Sequence, residues 1–452
     1  MNISYHNSSV KMLIIDHKSF RLLLSLMLIL FTLMFIEVTD VQAQAGFLPQ
    51  TEKDALIDIA KELGKTDWNF SLNPCDYALN WTWRTEQRSE MHSYNNTLLC
   101  NCSYPGGVCH VESLFLKGQD LNGTLPPSLK KLPYIKKIDL TRNYLNGTIP
   151  HEWASTKLEY LSLESNMFSG TIPAELGKLE NIVNLMLHAN NLSGELPVEL
   201  KNLTNLTELR LSSNNFTGKI PSLESWKRLE KLDLSFNNLN GDIPDLQGLS
   251  KLEKMYLTGN SLNGNVPKWI VDGTDTRVVD LSYNHFSKGS VPTSCDKSLD
   301  LAKCLGNNRC YKDYYSVYIN CGGPEATIGN KVYEADEDPG GDTKFFHDPN
   351  SWGFSSTGSQ LDVKETEYTS TNVSILTMNN SELYTRARLS PFSLTYYGRC
   401  LVNGNYTVTL HFAEISFRDN QSYKSLGRRA FDVYIQVNWC YYLNSTMLGG
   451  AS

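Results

Sequence analysis

The chain has 452 residues, room for two or three domains, and carries 41 Lys and Arg against 48 Asp and Glu. A net charge of −7 with dispersed basic residues excludes the basic patch that a nucleic-acid partner needs. Ten cysteines, in groups that lack metal-ligand spacing, point to an oxidising compartment.

Leu22 to Ile36 is an apolar run broken only by Ser25 and Thr32, preceded by Lys11, Lys18 and Arg21 and followed by Ala43-Gln44-Ala45. That is the anatomy of a secretory signal peptide spanning 1–45, and the run is short for a membrane span. Because the stretch before it is long, Met12 is an alternative start. No later run is long enough to cross a bilayer, so the expected location is secreted or extracellular. Fifteen Asn-x-Ser/Thr sequons follow the leader, among them Asn69, Asn95, Asn122, Asn202, Asn215, Asn372 and Asn405. They are glycosylation candidates on that route.

Residues 46–108 read as an N-terminal cap. Asp54 to Leu63 has the spacing of an amphipathic helix, with Leu56, Ile57, Ile59, Ala60 and Leu63 apolar. Trp68, Trp81 and Trp83 follow, with Cys75, Cys100, Cys102 and Cys109. Four cysteines predict two disulfides, and all three connectivities stay open. Zinc is not expected, since no His or second Cys pair stands at ligand spacing from Cys100 and Cys102.

Over 109–294 a polar residue recurs at Gln119, Asn143, Asn166, Asn190, Asn214, Asn237, Asn260 and Asn284, with gaps of 23 or 24. Mostly apolar residues stand 8, 5 and 3 positions ahead of each, and Leu or Phe stands 2 behind. The fold class this predicts is an α/β leucine-rich-repeat solenoid of about eight repeats, running from Val111 to about Pro292. The short strands build a parallel sheet ~35–40 Å long. Each Asn turns the chain and satisfies backbone groups stranded by the turn. The last repeat is degraded, with Thr276 in a leucine slot. Cys295, Cys304, Cys310 and Cys321, all disulfide candidates, then bracket a polar segment, so 295–314 reads as the C-terminal cap and linker, with Cys321 alternatively part of the following domain.

The position four before each Asn should project from the concave face: Phe115, Asp139, Ser162, Met186, Arg210, Asp233, Tyr256 and Asp280. The residue just before the Asn adds Phe236 and Tyr283. Aromatic and Arg side chains are common interface anchors, which makes Arg210, Asp233, Phe236, Tyr256, Asp280 and Tyr283 the candidate ligand patch.

From Tyr315 the leucine beat gives way to short alternating runs, the pattern of an all-β sandwich. The motifs Ile319-Asn320-Cys321-Gly322-Gly323, Trp352-Gly353-Phe354, Leu383-Tyr384-Thr385-Arg386-Ala387-Arg388, Gly404-Asn405-Tyr406-Thr407-Val408 and Phe431-Asp432-Val433 occur in that order. In it, residues 315–436 resemble an incomplete malectin domain. With the repeats and caps, the chain resembles the ectodomain of plant leucine-rich-repeat receptor-like serine/threonine kinases that carry a malectin domain. The resemblance implies that further sandwich strands, a transmembrane helix and a cytosolic kinase lie in longer relatives. The tail 437–452 does not resemble the family, as if translation ran into an intron. On that view, Phe431 to Ile435 is a strand whose downstream partners are missing. The resemblance also makes Tyr333, Tyr384, Tyr396 and Tyr397 candidate carbohydrate contacts, although Leu389 stands where malectin has an aromatic residue.

No catalytic constellation emerges. His411 and Glu414, three apart on a strand, point to opposite faces, and no kinase motif is present. The chain is therefore expected to be no enzyme, to need no cofactor or metal, and to bind an extracellular peptide, protein or glycan, with a co-receptor as a further partner. Two alternatives remain. One is a secreted leucine-rich-repeat inhibitor of cell-wall enzymes, and the other is a malectin-type carbohydrate-binding protein.

Overall fold

The computed structural model describes residues 46–76, 96–246, 248–271, 278–287, 310–341, 344–348, 351–357, 368–372, 380–390, 393–412, 429–435 and 438–445. The signal peptide, Trp81, Trp83, Asn95, Cys295, Cys304 and Glu414 lie outside the described residues.

Helix α1 (Gln50–Leu63) begins four residues before the expected Asp54, because Pro49 at the cap presets φ at −54°. Ala55, Leu56, Ile59, Ala60 and Leu63 form its buried stripe. It stops at Gly64, whose φ of 76° lets the N–H groups of Gly64 and Lys65 turn back to Lys61 and Ala60. The remaining carbonyls at this end meet the first repeat: Thr124 donates to Glu62 O at 2.9 Å and Gly123 to Leu63 O at 3.3 Å. Only glycine fits there, since a Cβ on Gly123 would lie 1.9 Å from Glu62 O. Glu52 is buried in the first turn and accepts from the Val111 N–H at 3.0 Å while pairing with His110 Nδ1. The helix is thus fixed to the first repeat at both ends. Disulfides Cys75–Cys100 and Cys102–Cys109 complete this cap.

Strand β1 (Thr97–Asn101) runs antiparallel to β2 (His110–Phe115) and opens a nine-stranded sheet. The other eight strands are parallel, one per repeat: β2, β3 (Lys137–Asp139), β5 (Tyr160–Ser162), β7 (Asn184–Met186), β9 (Glu208–Arg210), β11 (Lys231–Asp233), β13 (Lys254–Tyr256) and β15 (Val278–Asp280). A second, lateral ladder joins β4 (Asn146–Gly147), β6 (Met167–Gly170), β8 (Asn191–Glu195) and β10 (Asn215–Thr217), and continues as the pair β12 (Asn240–Gly241) and β14 (Ser261–Leu262). Short 3-10 turns close repeats on the remaining side, as at Ala174–Lys178 and Val198–Asn202. One continuous apolar core from Leu48 to Leu281 fills the solenoid.

The recurring Asn does the turning. Asn190 Nδ2 donates to the carbonyls of Leu163, Leu187 and His188 at 2.9, 3.1 and 3.2 Å, and its Oδ1 accepts the Phe168 N–H at 3.1 Å. Asn166, Asn214, Asn237, Asn260 and Asn284 repeat this arrangement, so each ties its own turn to the preceding repeat.

Residues beyond 310 form a second unit of mostly antiparallel strands. β16 (Ile319–Asn320), β17 (Ala326–Ile328) and β18 (Lys331–Ala335) make one sheet; β19 (Lys344–His347), β20 (Trp352–Thr357) and β23 (Ser393–Gly398) make another. β21 (Thr369–Thr371) pairs with β22 (Arg386–Arg388). Trp352 and Phe354 are fully buried, with the Phe346 ring 5.5 Å from each. Beside them Asp336 takes both ends of the Arg388 guanidinium, which also lies 4.3 Å over the Phe354 ring. The expectation that Phe431 to Ile435 has no downstream partner is corrected. β24 (Arg429–Ile435) forms a hairpin with β25 (Asn438–Ser445), whose aromatic-rich sequence suits a strand.

Two cysteine expectations also change. Cys310 does not close a local cap: it bonds Cys400, 90 residues on. Cys321 is unpaired, because Cys310 is drawn to the end of β23 while Cys321 follows β16 in a different sheet.

Candidate ligand-binding surfaces

Alternation puts three positions of each repeat strand on the concave face, at 6, 4 and 2 residues before the Asn. The sequence reading took only the middle one and expected it to be open. Instead Arg210, Asp233, Tyr256 and Asp280 are 5%, 3%, 1% and 0% exposed. The polar groups of Arg210, Asp233 and Asp280 are engaged by residues of their own and nearby repeats. Arg210 Nε and Nη2 reach Glu208 Oε1 at 2.7 and 2.6 Å, and Nη1 lies 3.7 Å from Glu164. Asp233 accepts from Ser235 N–H and Oγ at 3.0 and 2.7 Å and from Ser212 Oγ at 2.9 Å. Burial pushes the Asp233 carboxyl above its ordinary pKa, and these hydrogen bonds together with Arg210 hold it back. Asp280 holds Ser282 in the same way, at 3.0 and 2.6 Å. Asp139 accepts the Thr141 N–H at 3.0 Å. These are Asp-x-Ser/Thr turns, so the carboxylates shape the strand ends rather than await a ligand.

The concave residues that the sequence reading missed are Glu164, Asn184, His188, Glu208 and Lys231. His188 Nδ1 lies 3.2 Å from Glu164, Asn184 donates to Glu208 at 3.1 Å, and Lys231 stands 3.8 Å from Glu208. His188 and Lys231 keep 18% and 31% of their side chains open, which leaves a partly accessible, charged strip. The period-2 alternation would have found them.

Phe236 and Tyr283 occupy the position before the Asn, where the backbone is left-handed in successive repeats: φ is 58° at Arg142, 54° at Ala189, 52° at Phe236 and 55° at Tyr283. Bulky aromatics are uncommon in that region. Gly259 holds the equivalent place between them, and a Cβ there would meet the Phe236 ring at 2.8 Å. Phe236 is half-buried; Tyr283 is 46% exposed.

The four tyrosines of the second unit separate. Tyr333 and Tyr384 flank His411, whose Nδ1 meets Tyr384 Oη at 3.0 Å, and Tyr318 lies 5.4 Å from Tyr333 with Lys331 over its ring. Tyr396 is instead half-buried and donates to Asp336. Burial, with Cys321 and Asp336 close by, drives its phenol far above the ordinary value. Tyr397 shares hydrogen bonds with Ser355 at 2.9 Å and with Tyr283 at 3.3 Å. The hydroxyls of Tyr396 and Tyr397 are thus held by packing partners, apart from the cluster around His411.

Of the sequons, Asn69, Asn122, Asn202, Asn215 and Asn405 are exposed. Asn372 is half-buried and donates its amide to Tyr384 O at 2.8 Å. Among the described residues no group of His, Cys, Asp and Glu could hold a metal, and no helix is long and apolar enough to cross a membrane.

The solenoid and the strands beyond it define a leucine-rich-repeat protein with a malectin domain. The sequence matches the malectin domain family over residues 315–441, and leucine-rich-repeat families over 157–179 and 204–248. Over most of its length it is similar to plant receptor-like kinases. A "probable leucine-rich repeat receptor-like serine/threonine-protein kinase" of Arabidopsis thaliana is 36% identical over 511 residues, covering 86% of this chain and 49% of that protein. A second one from the same plant is 36% identical over 541 residues, covering 90% and 52%. The chain thus spans about half the length of the curated relatives it matches. The matched families include no kinase. Among solved structures, PEPR1 with AtPEP1 is similar at a TM-score of 0.44 and 28% identity, covering 53% of this chain and 32% of that one.

Proposed function

We propose that this chain is an extracellular ligand-recognition region of the receptor-like-kinase type, with the concave strip of the repeats as its protein- or peptide-binding face. The observation that carries this is where glycans can and cannot sit. None of the eight parallel strands holds a sequon, whereas Asn146, Asn191 and Asn215 lie in the lateral ladder and Asn122 stands two residues before its Thr124 bridge. A bulky glycan there leaves the face with His188, Lys231 and Phe236 as the one open to a partner. The disulfides and sequons support an extracellular location, and a co-receptor is a further partner of such a region. In a longer product of the relatives' type, ligand capture would pass to a kinase; the proposal gives this chain no catalytic role.

Panning the secreted full chain against a phage-displayed peptide library tests the reading. Enriched peptides should lose binding to a Lys231→Glu, Phe236→Ala variant and keep it with Asn122→Gln. Binding indifferent to the concave substitutions would place the site elsewhere.

A second reading rests on the Tyr318, Tyr333, Tyr384 and His411 cluster, because sugar C–H faces stack on aromatic rings. Glucose-type oligosaccharides on a glycan array should then bind the chain and lose binding in Tyr384→Ala. An array with no binder would remove this reading.

A further inference from the structure

We infer that the malectin domain is docked on the last repeat as one body with the solenoid, and that Tyr283 is the contact that fixes its orientation. The inference goes beyond the ligand reading and does not depend on any ligand being found.

One strand, β23, is held from both sides. Within the second unit, Cys310 bonds Cys400, two residues after β23 ends at Gly398. The same linker pairs with the chain beyond β23, where Tyr314 N–H donates to Cys400 O at 2.8 Å and Val402 N–H to Tyr314 O at 3.0 Å. These links lie inside the second unit and set no orientation against the repeats. A contact between the two units does. Tyr283 Oη, on the final repeat, lies 3.2 Å from Thr395 Oγ1 and 3.3 Å from Tyr397 Oη, both on β23. Tyr397 passes the connection to Ser355 on β20 at 2.9 Å, so the contact reaches two strands of the sheet.

The repeat geometry explains how Tyr283 reaches so far. Its left-handed backbone is imposed by the turn before each Asn, and most repeats fill that place with a short side chain or glycine, as at Ser165, Ala189, Ser213 and Gly259. A tyrosine there extends past the edge of the sheet. Burial, and next the approach of Tyr283, raise the Tyr397 phenol above its ordinary pKa. The consequence is a fixed spacing between the concave strip and the Tyr333, Tyr384 and His411 cluster, so that a ligand touching both must match it.

Hydrogen–deuterium exchange and small-angle X-ray scattering on the full glycosylated chain test this, comparing Tyr283→Ala and the milder Tyr283→Phe with the parent. Docking predicts a compact parent. It also predicts several-fold faster exchange in the 393–398 peptide of Tyr283→Ala, with exchange in 160–240 unchanged, and a broadened pair-distance distribution. Tyr283→Phe, which keeps the ring and folds with least risk, should show the same change more weakly. A parent whose scattering already fits two freely rotating bodies would overturn the inference. So would 393–398 exchange and scattering unchanged in both variants.

Discussion

Asn237 donates to the carbonyls of Leu211, Leu234 and Ser235 and accepts from the Phe216 N–H, all at 3.0–3.2 Å and under the shelter of two repeats. Replacing it with Ala strands four buried backbone groups, and the expected loss is about 2–4 kcal/mol in denaturant unfolding, since each orphaned group keeps its desolvation cost. Asn237→Asp should be no milder, because a carboxylate retains the acceptor but turns negative charge toward three carbonyls. Asp233 gives a residue-scale test with a sign. Burial raises its folded pKa above the ordinary 3.8, so the folded state binds the proton more tightly than the unfolded chain does. Its contribution is therefore fully favourable below the unfolded value and falls as pH rises through the folded one. Asp233→Asn should flatten that decline in thermal melts as pH rises above the ordinary carboxylate range, and an identical pH slope in both proteins would contradict it. The recurring Asn was legible because its period is fixed by the repeat. The role of Asp233 was not read from the sequence, yet the recurrence of Asp139-Leu140-Thr141, Asp233-Leu234-Ser235 and Asp280-Leu281-Ser282 held the signal: an Asp two residues before a hydroxyl is a turn former.

At the scale of elements, the eight repeat strands were legible because inward leucines and turn Asn residues recur together, leaving little else for the chain to do. Helix α1 was placed but started late, since apolar spacing marks a helix's face and only Pro49 marks its beginning. Pairings across the chain were not legible. Nothing in the sequence links Cys310 to Cys400, which meet as the second unit folds, or Tyr283 to Tyr397, which meet only when the two units come together. The N-terminal cap now allows an ordered prediction. The Cys75–Cys100 bond closes 25 residues and Cys102–Cys109 closes 7. Loop-closure entropy assigns them about 3.5 and about 2.5 kcal/mol. Cys109→Ser should lower secretion and melting temperature, and Cys75→Ser should lower both further. Equal losses would mean that packing around Cys109, which is 0% exposed, outweighs loop entropy.

At the scale of the molecule, the solenoid and the malectin domain differ in how they finish their edges. The repeat sheet is closed at its start by α1 and β1, and Tyr283 meets β23 at its other end. In the malectin domain the extended segment 405–412 joins none of the described sheets. Tyr406, Val408 and Leu410, two apart along it, are 42%, 50% and 49% exposed. Alternation sets these three on one side, and an exposed apolar row invites a second strand. We therefore expect concentration-dependent self-association, read by light scattering during gel filtration, and its suppression by Val408→Lys with Leu410→Lys. His411 is left in place so that its contact with Tyr384 survives. Limited proteolysis gives an independent check. Cleavage should fall first within 405–412 while a core from about residue 46 to 310 resists. A cut there leaves the Cys310–Cys400 bridge intact, and further cuts between 315 and 390 should leave the β23 piece attached until a reductant is added. A monomer at high concentration, together with a protected 405–412, would show that this row is covered in solution and that the malectin domain is as well finished as the repeats.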